Sequence, residues 1–461
     1  VHIKVKKGLD IPIDGQPSGS IEQIRSSGQA APAIPSLVSL NLSSFDNLRV
    51  RLFKKVGDNV QIGEPICEDK GTPGRYFVSP AAGIIKEIRR GLKRRIIDIV
   101  IERSEHEEYY THGPLDPETA SREAIIERLL KGGVFTKINQ RPFCLLADPT
   151  AIPKAIFVKA IESAPFLPPA EMQVEGYESA FHSGLTALKK LTEGAVHLVY
   201  KKGSRFAPFT NAAHTEKHTV EGPHPAGTHS LHIQQIDPIN SAEDVIWTLT
   251  AHDVVCIGQL LNEGKHHIER IIAIAGPGII DGQRGFFRVR EGLPIALIAA
   301  GRIAKNPTRL ISGDPLMGST VSIEDFLGYQ DYAFTAIPLQ TSREILHFLR
   351  LGVNKYSYTR AYASGHLSNK NHKYSFTTSQ HGEHRAFVDP TLYDDVMALN
   401  VPTMQLVKAI MADDFDLAET LGLLEVHPED FALPAFVCIS KIDMPEIVQE
   451  GLRAHAADML E

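Results

Sequence analysis

The chain has 461 residues, 43% hydrophobic and 22% charged, proportions that call for roughly two to four globular domains and exclude disorder, collagen-like repetition and a small disulfide scaffold. Its 48 basic and 55 acidic residues leave a net charge of −7, spread without a long single-sign block, so nothing points to a nucleic-acid partner. Apolar stretches such as Ile271 to Ile280 and Pro294 to Gly301 are too short, and too broken by Gly or Pro, to cross a membrane. No signal-like segment opens the chain, and Cys67, Cys144, Cys256 and Cys438 lie far apart. The expectation is a reducing cytoplasm and free thiols.

Residues 1–104 form the first unit. From Asn41 to Glu102, short β-rich runs (LRVRLF, YFVSPAAGIIKEI, RRIIDIVIE) alternate with turn signals, which predicts a small all-β module. The V-G-D-N-V turn at Val56 to Val60 and the S-P-A-A-G turn at Ser79 to Gly83 resemble those of a biotinyl/lipoyl carrier. Lys70 stands near the modified lysine of such carriers, but the two glycines and the proline that follow distort the presenting hairpin. An ordinary solvated lysine is the expected state, with acylation as the rival.

Residues 105–261 read as a Rossmann-like α/β domain. A helix follows Asp116-Pro117, with Ile125, Ile126, Leu129 and Leu130 on one side and Gly132-Gly133 as its stop. CLLA, KAIFVKA and AVHLVYK are predicted as buried strands, with a helix over SAFHSGLTALKKLTEG between the last two, as in a βαβ unit. A further helix is predicted at SAEDVIWTLTAH, opened by Ser241 and Asp244 in capping-box fashion, and then a strand at DVVCIG. Residues 262–335 return to β character, including FFRVREGLPIALIAAG. Residues 336–461 begin with an irregular polar stretch to about Val388 and become helical from Leu392, in three segments.

Candidate chemistry is sparse. His214, Glu216, His218, His224, His229 and His232 form the densest polar cluster, but H-T-E-K-H is one place off the H-E-x-x-H pattern, and Pro223 and Pro225 follow. Structural or solvated histidines, with no metal, are therefore expected. None of Gly132-Gly133, Gly276-Pro277-Gly278 or Gly282 to Gly285 spells G-x-G-x-x-G. An iron-sulfur site needs four thiolates, and Cys438 stands alone in an apolar run, where a core thiol is the ordinary reading.

Longer phrases carry a family likeness. IKVKKGLDIPIDGQP, GTHSLHIQQIDPINSAEDVIWTLTAHDVVCIG, RLISGDPLMGS with FLGYQDYAF, and HPEDFALPAFVCISKID together resemble the NqrA family of the sodium-translocating NADH:quinone oxidoreductase, in order from Ile3 to about Asp443. The resemblance implies a peripheral subunit on the cytoplasmic side of the bacterial inner membrane. It also implies five partner subunits, which would hold the flavins and the iron-sulfur centre and handle NADH and sodium, and kinship with the C subunit of the Rnf complex and the flavoprotein subunit of complex I. Residues 262–335 would then be a ubiquitin-like β-grasp module.

The relatives' flavin loop, G-R-G-G-A-G-F-P, is similar to Leu130 to Thr136, where Gly132 and Gly133 survive but Val134 and Phe135 fill cofactor space. Their Y-P-x-G-x-E phrase is similar to His224 to His229, with His229 in place of the glutamate, and their C-x-x-C-x-x-x-C-P run is similar to Phe431, Pro434, Cys438 and Ile439. The implied chain keeps the fold, binds no redox cofactor, lacks a catalytic residue of its own and contributes to ubiquinone interaction. Phe135, Lys137, Arg141 and Phe143 offer the flat apolar face and the cationic donors that a quinone needs. A free-standing flavin-dependent NADH oxidoreductase is the alternative.

Overall fold

The computed structural model describes residues 1–25, 33–45, 48–342, 344–346, 349–367 and 371–460. The N-terminal β module is two small antiparallel sheets. One orders Leu37–Asn41, Ile96–Arg103, Gly83–Arg90 and Asn59–Val60; the other orders Val50–Leu52, Pro65–Asp69 and Tyr76–Val78. Their inner faces share one core, with Val38, Leu40, Ile99 and Ile101 from the first sheet against Ile66 and Phe77 from the second, the alternation expected of strands buried on one side. The earliest residues serve other layers. His2–Lys4 pairs in parallel with Glu216–Glu221, and Ile21–Gln23 pairs in parallel with Gly285–Arg290. Lys70 is exposed just beyond the Pro65–Asp69 strand.

The central sheet has seven strands, ordered His2–Lys4, Glu216–Glu221, Val196–Lys201, Ala155–Ala160, Ile246–Thr250, Asn139–Arg141 and Leu145–Leu146. The first five are parallel and the last two antiparallel. Every residue of Ala155–Ala160 is buried, because helices cover both faces. Ile156, Val158 and Ala160 share a core with helices Arg122–Lys131, Glu178–Leu191 and Ala251–Glu263. Ala155 and Phe157 share another with helix His229–Ile236 and the C-terminal helices Thr403–Met411 and Met444–Leu460.

Three expectations are corrected here. Residues 241–250 are not a helix: Ile246–Thr250 is the strand, and DVVCIG lies in helix Ala251–Glu263. Asp244 accepts from the backbone N–H of Asn240 (2.8 Å), and the capping box is formed by Thr250 and Asp253, while VIWT is β-branched and aromatic and lies in the sheet interior. CLLA yields only a two-residue edge pair, half-buried. PIALIAAG is a short helix, Ile295–Ala299, packed by Ile295 and Ile298 onto Ile272, Ile274 and Phe334.

That helix covers a six-stranded mixed sheet ordered Ser319–Val321, Thr308–Ser312, Ala333–Pro338, Glu269–Ala275, Gly285–Arg290 and Ile21–Gln23. The helix capped by Ser121 and the three predicted C-terminal helical segments are present, as Arg122–Lys131, Thr403–Met411, Phe415–Thr420 and Met444–Leu460. Among the described residues no helix is long and apolar enough to cross a membrane.

Candidate functional site

The central sheet contains a change of winding direction. From Ala155–Ala160 the chain adds Val196–Lys201 and then Glu216–Glu221 on one side, and afterwards places Ile246–Thr250 on the other side of Ala155–Ala160. The loops leaving these two neighbouring strands diverge, so a crevice opens outside their carboxyl ends. The largest cavity, about 680 Å³, lies there, lined by Lys159 and Glu162 beyond one strand and by Thr248 to Thr250 and Asp253 at the other.

Its remaining walls come from every other part of the chain. The N-terminal module supplies Asp69 and Arg75, the six-stranded domain Asp314, Asp331 and Tyr332, and the C-terminal region His427 and Glu429. Asp69 and Arg75 flank the loop that would present a carrier lysine. Instead, Arg75 pairs with Asp69 (2.9 Å) and donates to the Ala147 carbonyl of the α/β domain, so the loop is tied down as wall.

The cavity is charged and internally paired. Lys159 Nζ lies 3.0 Å from Glu162 Oε2; burial opposes the lysine charge, but Glu162 and Glu429 hold it above its ordinary range. Burial pushes the Asp314 carboxyl up to about 6, against the Leu316 and Met317 N–H groups that donate to it. Burial likewise raises Asp253 and Asp331. His229, where the relatives' phrase has glutamate, bonds through Nε2 to the Leu249 carbonyl (3.0 Å), and burial holds it well below the usual histidine range, so it is neutral. This set can hold polar edges of a ligand and move protons near neutral pH.

The four residues predicted for quinone divide. Arg141 and Phe143 line the cavity. Arg141 donates from Nη1 to Ser230 Oγ (3.0 Å) and from Nη2 to the Glu425 and Val426 carbonyls (2.8 and 2.6 Å). Phe143 and Cys144 sit in the turn between two edge strands with φ of 72° and 56°, left-handed conformations that cost non-glycine residues about 1–2 kcal/mol each. Phe135 and Lys137 are buried away from the lining. The Phe135 ring meets Trp247 edge to face at 5.6 Å, and Lys137 Nζ pairs with Glu291 (2.8 Å) over the Tyr329 ring.

The glycine loop is packed with protein. A Cβ on Gly132 would fall 2.3 Å from Leu260, and one on Gly133, whose φ is +70°, 2.6 Å from Val78. Val134 and Phe135 are fully buried beside it. Cys438 is buried with its sulfur 3.2 Å from the Tyr393 hydroxyl, far in sequence from any other cysteine. The predicted histidine cluster disperses. His224 bonds Ser163 (2.9 Å), His232 bonds the Ala226 carbonyl (2.8 Å) and His214 faces Glu118, while Glu216 and His218 meet His197, a residue not singled out by the sequence. Lys159, Glu162, Asp253, Asp314 and Tyr332 were missed too; the one usable signal was the winding rule applied to KAIFVKA.

All four cysteines are free. Burial pushes the Cys67 and Cys256 thiols up to about 12 and raises Cys144, leaving almost no thiolate at neutral pH. Iodoacetamide is therefore expected to modify none of the four in the native chain on the timescale that alkylates free cysteine, and four after denaturation. Rapid native labelling at any of these sites, read by intact mass, would contradict this burial.

The comparisons with known proteins agree along the whole length. Residues 3–104 match the NqrA N-terminal barrel-sandwich hybrid domain, and residues 120–266 match the NqrA second alpha/beta domain. Proteins named as the NqrA subunit of Na(+)-translocating NADH-quinone reductase are 34% identical in Chlamydia caviae (99% of this chain, 97% of that protein), 35% in Chlamydia pneumoniae (99% and 98%) and 33% in Saccharophagus degradans (98% and 98%). Among solved structures, an air-oxidised NAD+-reducing [NiFe]-hydrogenase superposes with a TM-score of 0.37 at 12% identity, over 76% of this chain and 67% of that one. With a third of its residues identical to these curated relatives over nearly the full length of both, this chain belongs to the NqrA family of Na(+)-translocating NADH-quinone reductase subunits.

Proposed function

We propose that the chain works as a peripheral subunit on the cytoplasmic side of the bacterial inner membrane. Its complex would couple NADH oxidation and ubiquinone reduction to sodium export, and the crevice would receive the quinone headgroup. The observation that carries this reading is the Phe143-Cys144 turn, held left-handed on the wall of the largest cavity, since a strained backbone that the fold over-determines marks a site of use. Phe143 offers the ring face, and Arg141 fixes the turn to the C-terminal region.

The parallel core with its change of winding supports a Rossmann-like reading of residues 105–261, and the helix-covered mixed sheet supports a β-grasp reading of 262–335. Val78 and Leu260, pressed on the glycine loop, support a chain without flavin, leaving NADH, flavins, the iron-sulfur centre and sodium to the five other subunits. A yellow purified chain would favour the free-standing flavoprotein instead.

A photoreactive quinone analogue bound to the whole complex is expected to label the 139–146 hairpin in competition with free quinone. Phe143→Ala is expected to raise the quinone KM about three- to tenfold, the worth of one aromatic contact, with Phe135→Ala acting on stability alone. Labelling confined to the membrane subunits, with KM unchanged in Phe143→Ala, would overturn the quinone role.

A further inference from the structure

At the amino end of the same parallel strands, opposite the crevice, three ligating side chains converge. His197 is the second residue of Val196–Lys201 and pairs in register with Glu216, the first residue of Glu216–Glu221. The period of two places His218 on the same side of its strand as Glu216. His197 Nδ1 lies 3.0 Å from His218 Nε2 and 3.5 Å from a Glu216 carboxylate oxygen, and all three ligand atoms lie within 4.8 Å of one another.

We propose that His197, His218 and Glu216 form a binding site for one borderline divalent transition-metal ion such as zinc, with its fourth position left to water. A tetrahedral ion with bonds of about 2.0–2.1 Å sets its ligand atoms about 3.3 Å apart, and the 3.0 and 3.5 Å separations bracket that edge. Two imidazoles and one carboxylate are the donor set of an open zinc site.

The two rings are buried, with His197 resting on the Phe157 ring at 4.6 Å, so their positions are preset by packing. The Glu216 side chain is 66% exposed, which provides the entry path and the open coordination position. Burial holds both histidines below the usual range, His218 at about 4, and a neutral imidazole is the metal-binding form. Without an ion the facing nitrogens share a single hydrogen. An ion replaces it and engages both lone pairs and the carboxylate at once. The Val1 amine contacts Nδ1 of His218 (3.0 Å), on the other side of the ring from the site, and leaves Nε2 to the metal. The ion would clip two neighbouring strands beside the one that holds His2–Lys4.

The test uses the full chain, stripped with a chelator and titrated with cobalt(II), whose tetrahedral complexes absorb strongly in the visible. One saturable equivalent is expected, displaced by zinc. His218→Gln is expected to abolish the bands, while His214→Gln, four residues away and paired elsewhere, is expected to leave them unchanged. Glu216→Gln, at an exposed position that folding does not depend on, is expected to weaken binding by at least about tenfold, or 1.4 kcal/mol. Bands that persist at full strength in both His218→Gln and Glu216→Gln, or no saturable equivalent in the unsubstituted chain, would overturn the site.

Discussion

Replacing Glu291 by alanine is expected to lower the stability of the chain by about 3–5 kcal/mol, because it leaves buried cations without a counter-charge. One carboxylate serves three partners: Lys137 Nζ at 2.8 Å, Arg270 Nη2 at 3.0 Å and His266 Nε2 at 3.1 Å. All four side chains are buried. Lys137 belongs to the α/β domain and the others to the six-stranded domain or its edge, so the cluster joins the two. Burial opposes the Glu291 charge, but Lys137, His266 and Arg270 hold its carboxyl well below the usual carboxylate range. The sign of the pH dependence follows. A depressed folded-state pKa contributes stability that is fully present above the unfolded value of about 4.5 and is lost as pH falls through the folded value. Lys137, raised well above 10.5, contributes stability present below 10.5 and lost as pH rises beyond it. Calorimetry should therefore find the effect of Glu291→Ala constant from about pH 6 to 9 and shrinking in acid. A loss under about 1 kcal/mol at pH 7 would mean that the pair is hydrated.

The second large effect concerns Arg75. Arg75→Ala should cost about 3 kcal/mol by leaving Asp69 as an uncompensated buried charge, and it should loosen the N-terminal module from the cavity wall. The guanidinium pairs with Asp69, donates to the Ala147 carbonyl and lies 5.9 Å from the Phe135 ring centroid. Asp69→Asn should cost less, since an amide retains one acceptor and carries no charge. The double variant should lose clearly less than the sum of the two, because the groups interact directly. Faster proteolysis at the junction of residues 104–120 in Arg75→Ala would report the loosening; strict additivity in the cycle would show that the pair contributes nothing beyond its separate groups.

How much of this was legible in sequence depends on how local each cause is. The helix capped by Ser121 carries its cap and its apolar stripe within a dozen residues, and KAIFVKA announces burial on both faces by being apolar throughout. The swap at 241–263 had a local signal as well, Thr250 three residues before Asp253, but Ser241 and Asp244 spelled a similar one nine residues earlier, and tertiary burial of Trp247 and Leu249 decided between them.

By itself the sequence determined the β module, the alternation of strands and helices that follows it, the helical end and the family, because collinear phrases and hydrophobic period survive reading in one dimension. Only the tertiary structure decided that Phe135 and Lys137 are packed away while Arg141 and Phe143 reach the crevice, and that His197 stands beside His218. Three-residue shifts along a strand or turn reverse which way a side chain faces, and the pairing of strands separated by a crossover is set by the register of whole sheets. The crevice draws its wall from segments more than 300 residues apart, such as Asp69 and Glu429, so no window of sequence contains it.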